Sequence, residues 1–263
     1  MDSKRETKAS SDNDNYSDAK CPFAFLKNVK DLNTSEVVCP FHKHLPVEKI
    51  LGTDKQKVKQ NIDLPLRGRT HVPSDSQAAL LQDIGGGDTI REICTRFYAH
   101  AFRDQVISQF FFLNDGEEAH GKRLADWIIE KMGGEGRPWT DSGRYGQRQP
   151  SHHKAWYSDK RHSSAKGDHF KLDDVRIWMR LFFWSVRERG LAMHGPFWNW
   201  LIQFIAHFAR VYDSQAPAYA LESSEWSAKD ENINKYLAND KRMADVINKN
   251  LNGGIRPYPP YVM

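Results

Sequence analysis

The sequence predicts an all-α protein, and three observations carry that prediction. Four long segments place apolar residues at helical spacing, each flanked by a start or stop signal. No segment shows the apolar–polar alternation of a half-buried strand. Nothing repeats internally, which removes solenoids and propellers.

The first helix is expected in "GGGDTIREICTRFYAHAF". Its three glycines make a flexible start, Thr89 and Glu92 fit a capping box, and Ile90, Ile93, Cys94, Phe97 and Ala101 share one face. The second is read from "EEAHGKRLADWIIEKMGG", where His120, Leu124, Trp127 and Ile128 share a face and the Gly133–Gly134 pair ends the run. "KLDDVRIWMRLFFWSVRERG" supplies the third, with Asp173 or Asp174 as cap, Gly190 as stop, and Val175, Trp178, Met179, Phe182 and Val186 as its stripe. The fourth, "GPFWNWLIQFIAHFARVYD", carries Pro196 in its first turn, where a missing amide costs nothing. Its stripe of Phe197, Leu201, Phe204, Ile205, Phe208 and Tyr212 is broad enough for burial on most sides.

Composition narrows the function classes. At 263 residues, 39% of them hydrophobic, the chain can bury one good core with extensions. The most apolar stretch, "IWMRLFFWSV", is interrupted by Arg180, so no membrane span is expected. A net charge of +4 without a basic stripe argues against nucleic acid. Three cysteines without framework spacing favour a reducing, cytoplasmic setting. The polar N-terminus, "MDSKRETKASSDNDNYSDAK", lacks the apolar centre of a secretory signal and reads as a solvated tail. The expected organisation is an N-terminal extension over 1–79, a helical domain over 80–213 and a C-terminal extension over 214–263. In the last part Tyr236, Leu237, Met243, Val246, Ile247 and Leu251 form a modest apolar face before a Pro- and Tyr-rich tail.

Aromatic stripes alone describe an ordinary bundle, which would make the chain a haem-free helical interaction module. Inward polar residues go beyond that. Tyr98 lies beside the first stripe, His120 sits on the apolar face of the second helix, and "QPSHHKAW" pairs His152 with His153. Neighbouring helical residues point about 100° apart, so at most one of this pair faces a given pocket. Imidazoles on separate elements amid surplus aromatics suit a flat apolar cofactor with a metal at its centre.

The ordered series "RFYAHAFRD", "ISQFFF", "HGKRLADWIIEKMGG", a histidine three residues before an aromatic, and "DDVRIWMRL" resembles the truncated haemoglobins, group II in particular, over roughly residues 80–213. The resemblance implies a two-over-two helical globin fold with one haem b. It implies Tyr98 and His120 as distal ligand-binding residues, with His120 a candidate sixth ligand of iron. It also implies Trp178 as the tryptophan characteristic of group II, and Phe111 packed on the haem, with Phe110 or Phe112 as alternatives. Counting back from Trp156 selects His153 as proximal iron ligand. The family's Gly-His-Pro segment is replaced by "QRQPSHHKAW", and His152 stays open as the alternative. Phe111, Leu124, Trp127, Trp156 and Trp178 would surround the cofactor.

Such a site would bind oxygen, nitric oxide or another small diatomic ligand. It would suit oxygen binding or transport, nitric oxide dioxygenation, weak peroxidase activity or gas sensing, with a reductase as partner and a homodimer through the extensions as a candidate assembly. Apolar walls of Phe111, Leu124 and Trp127 would exclude water, and the Tyr98, His120 and Trp178 side chains would act as donors to bound ligand. The N-terminal "AKCPF" and "VVCPF" resemble short haem regulatory motifs acting through Cys21 and Cys39. Cys39, His42 and His44 also allow zinc, without a recognisable fourth ligand, and the bland reading is an arm that anchors on the core.

Overall fold

The computed structural model describes residues 62–247. Cys21, Cys39, His42, His44 and Leu251, with the motifs they belong to, lie outside these residues. All the described residues fall in one compact unit. A hairpin of two short antiparallel strands, β1 (Leu66–Arg67) and β2 (Thr70–His71), precedes α1 (Asp75–Asp83), α2 (Gly86–Ala101) and α3 (Gly116–Met132). Then come α4 (Arg148–Trp156), α5 (Leu172–Glu188), α6 (Gly195–Ala209), α7 (Ala220–Trp226) and α8 (Asp230–Ala238), joined by short 3-10 and π turns. The domain is mostly helical and of the all-α class. Among the described residues no helix is long and apolar enough to cross a membrane.

The four expected helices are present as α2, α3, α5 and α6, with the centres of their stripes buried: Phe97, Met179 and Phe204 are fully inaccessible, whereas Leu124, Trp127, Trp178 and Phe208 are half-buried and Tyr212 follows the end of α6. Gly133 stops α3 in the left-handed region, at φ 79°. Asp174 caps α5 from its third position, its carboxylate accepting the Lys171 amide at 2.8 Å. Pro196 stands in the first turn of α6, where the His194 imidazole also accepts the Phe197 amide at 3.2 Å.

The start of α2 differs from the capping-box expectation. The helix begins at Gly86, inside the glycine run, after Gly85 at φ 100°, and no side chain caps it locally. A distant residue does so: the Glu135 carboxylate accepts the Gly87 amide at 2.7 Å and pairs with Arg91 at 2.7 Å. A Cβ at position 87 would stand 2.1 Å from that carboxylate, so the glycine makes room for the cap. A second close approach sets the crossing of α2 and α3, the most extensive helix contact among the described residues. There a Cβ on Gly121 would lie 2.8 Å from the Thr95 backbone.

Helix α4 carries the histidine pair and has no apolar period to announce it. Pro150 sits in its first turn, where a missing amide is tolerated. The C-terminal segment packs on the core through Trp226, Tyr236, Met243, Val246 and Ile247, all buried, while Leu237 faces out. Arg180, 2% exposed, anchors it with ion pairs to Glu222 and Asp245 at 2.5 and 2.6 Å.

Candidate functional site

Between α2, α3, α4, α5 and α6 lies a largely apolar cavity of about 250 Å³. Aromatic and aliphatic side chains make most of its wall, among them Phe111, Leu124, Trp127, Trp178 and Phe208. The reason is the stripe pattern itself. The innermost residues of each stripe pack helix on helix, and the bulky residues at the stripe edges, Tyr98, Trp127, Trp178 and Phe208, are half-buried and meet around the space.

Tyr98 and His120 come together on one side, with ring centroids 5.1 Å apart, and Phe111 touches both rings at 5.5 and 5.7 Å. Burial holds the Tyr98 phenol well above its ordinary range, so it stays protonated and can donate. Its hydroxyl makes no hydrogen bond among the described residues. Trp178 stacks on Phe182 at 5.2 Å and lines the same cavity.

His120 has a defined tautomer. Its Nδ1 faces two acceptors, the Gly116 carbonyl at 2.9 Å and the Asp115 carboxylate at 3.0 Å. Burial lowers its pKa below the usual imidazole value. The neutral ring therefore donates from Nδ1 and leaves Nε2 with a lone pair. Of the two roles expected from sequence, donor and sixth ligand of iron, a lone pair on Nε2 suits the second.

The histidine pair resolves on α4. His152 lines the cavity; His153 is exposed and borders a separate surface depression with Tyr157 and Lys160. The sequence count favoured His153, and the geometry brings His152 to the cavity instead. Trp156, from which the count to His153 starts, is not in the cavity wall either: it stacks on His169 at 4.0 Å and meets Phe170 at 6.0 Å. Burial, with Arg148 nearby, lowers the His152 pKa to about 4, so its ring is neutral at physiological pH.

Several side chains bordering the cavity are not singled out by the sequence. Arg144 and Arg148 border the cavity and have no carboxylate partner among the described residues, while Arg123 is paired with Asp115. Arg148 lies over Trp127 at 4.7 Å and Phe208 at 5.1 Å. It stands four residues before His152, one helical turn away on the same face, and that spacing was the available signal. Among the described residues no three His, Cys, Asp or Glu side chains converge on a metal position. A metal at this place would have to arrive in a cofactor that supplies most of its own donors.

The fold and the cavity define an all-α protein with an aromatic-lined site bordered by neutral imidazoles and by two arginines that have no carboxylate partner among the described residues. No family model, curated protein or solved structure matches the chain.

Proposed function

We propose that the cavity binds one haem b in a truncated, two-over-two globin fold, and that the chain takes up oxygen or nitric oxide. The observation that carries this reading is His152, a neutral imidazole in the wall of an aromatic cavity also bordered by two arginines that lack a carboxylate partner among the described residues. The donor set fits the group: neutral imidazole is the usual protein ligand of haem iron, apolar rings suit the macrocycle, and arginines suit its carboxylates. When bound, haem supplies an iron centre open to a diatomic ligand.

The chain's own residues divide the remaining work. His152 would hold the iron, in place of His153. Arg144 and Arg148 would take the carboxylates, and Phe111, Leu124 and Trp127 would exclude water. Tyr98 offers an O–H, and Trp178 an N–H that is donor only, to the negative charge that a bound ligand carries. His120, with its free Nε2 lone pair, would accept a proton or compete for the sixth position. Oxygen binding, nitric oxide dioxygenation with a reductase to restore ferrous iron, and weak peroxidation with a reducing co-substrate all suit this arrangement.

An absorption spectrum of the purified or haem-titrated chain tests the proposal. The expected result is an intense Soret band at one haem per chain, lost in His152→Ala and kept in His153→Ala. A chain that stays colourless with added haem belongs instead with helical interaction modules. Retention in His152→Ala with loss in His153→Ala would return the ligand to His153.

A further inference from the structure

One hydrogen-bonded chain in the cavity is not explained by haem binding alone. Arg148 Nη2 lies 3.1 Å from the Tyr212 hydroxyl, and that hydroxyl lies 3.3 Å from His152 Nε2. A guanidinium only donates, so the Tyr212 oxygen accepts from Arg148. Between Tyr212 and His152 the direction follows the imidazole tautomer. With its proton on Nδ1, His152 accepts at Nε2 and the Tyr212 hydroxyl donates.

The parts of this chain are held from outside it. The Arg148 guanidinium lies over Trp127, Phe208 and Tyr212, at 4.7, 5.1 and 5.5 Å from their centroids. Tyr212 packs edge-on against His152 at 5.0 Å and Phe170 at 5.5 Å. Helix α4 thus contributes the arginine and the imidazole one turn apart, and the segment after α6 contributes the phenol between them.

We propose that Tyr212 is a positioning residue that keeps His152 on the ligand side of the cavity and masks its Nε2 until a cofactor exchanges for the hydrogen bond. The proposal rests on the haem reading, because it gives Tyr212 a role in loading that group. Loading has two linked consequences. His152 gives up the Tyr212 proton, and Arg148 leaves the aromatic rings to meet a carboxylate, widening the cavity as it goes. Tyr212 therefore sets the rate of loading, while His152 and Arg148 set retention.

The test uses the full chain with 15N-labelled histidine, read by long-range 1H–15N correlation before any haem is added, followed by stopped-flow mixing with haemin. In the parent, His152 should show the Nδ1-protonated tautomer with a hydrogen-bonded Nε2. Tyr212→Phe should shift that Nε2 signal and speed haemin uptake about two- to tenfold, the factor one net hydrogen bond is worth. Arg148→Gln, which leaves the Tyr212 ring in place, should shift Nε2 less and speed haemin loss.

An Nε2 signal unmoved by Tyr212→Phe overturns the hydrogen bond and the proposal, whether or not haem binds. A shifted signal with unchanged uptake overturns the masking role. A shifted signal in a parent chain that takes up no haemin overturns the haem reading itself and reduces the bond to a structural one.

Discussion

His120 and Tyr98 are neighbours with opposite hydrogen-bonding characters. Nδ1 of His120 is committed to the Gly116 carbonyl and the Asp115 carboxylate, so its inner nitrogen offers a lone pair, whereas the Tyr98 phenol, kept protonated by burial, offers a proton. Substitutions should therefore separate. Under the proposed function, Tyr98→Phe should leave the resting spectrum alone and accelerate loss of bound dioxygen by roughly five- to thirtyfold, as expected for one hydrogen bond of about 1–2 kcal/mol. His120→Leu should convert any low-spin, six-coordinate resting form to a high-spin one and speed ligand binding. Resonance Raman and stopped-flow measurements distinguish the two, and a Tyr98→Phe protein with altered resting coordination would reverse the assignment.

At the scale of elements, two glycines decide how α2 sits. Gly121 lets α3 approach the Thr95 backbone so closely that any added methyl must push the helices apart. Gly121→Ala should cost about 1–3 kcal/mol, the usual range for overpacking, and should displace the adjoining His120. The other device is the long-range cap. Removing the Glu135 carboxylate strips Gly87 of its acceptor and Arg91 of its partner, so Glu135→Ala should lower stability by about 0.5–2 kcal/mol. Thermal unfolding reads both. A Glu135→Ala melting temperature equal to the parent's would show that water replaces the cap at no cost.

For the whole molecule, residues 214–247 are part of the fold. Asp104, just after α2, accepts the amides of Val106 and Ile107 at 2.8 Å each and the Tyr236 hydroxyl of α8 at 3.0 Å. Burial outweighs those bonds and raises the Asp104 pKa from 3.8 to about 6. Between these values the folded state keeps a proton that the unfolded chain has lost, so stability falls as pH rises from about 4 to about 6 and is level above. The two-unit shift corresponds to at most about 3 kcal/mol. Asp104→Asn should remove this slope: its melting temperature should gain on the parent's as pH rises through that window, and parallel curves would rule the assignment out. A chain ending at residue 213 would leave buried Arg180 without Glu222 and Asp245 and uncover the core beneath Trp226 and Tyr236. Uncompensated buried charge typically costs about 3–5 kcal/mol, so this truncation should unfold or aggregate near room temperature.

Local pattern by itself determined the class of the protein and its four main helices, because a stripe at 3.6-residue spacing has no other way to bury itself. It also placed Tyr98, His120, Leu124, Trp127 and Trp178 on or beside such stripes, while their meeting in one site was implied by the resemblance and their shared cavity is seen in the structure. Tertiary structure alone decided what depends on rotation and distance. Helix α4 is short and polar, so nothing in its pattern shows which histidine turns inward, and packing against Phe170 and Tyr212 chose His152. The remote cap from Glu135 and the clamp on the C-terminal segment join residues far apart in the chain, 48 positions in the first case. Separations of that kind leave no periodic trace, because the chain between the partners is free to take any path that the core permits.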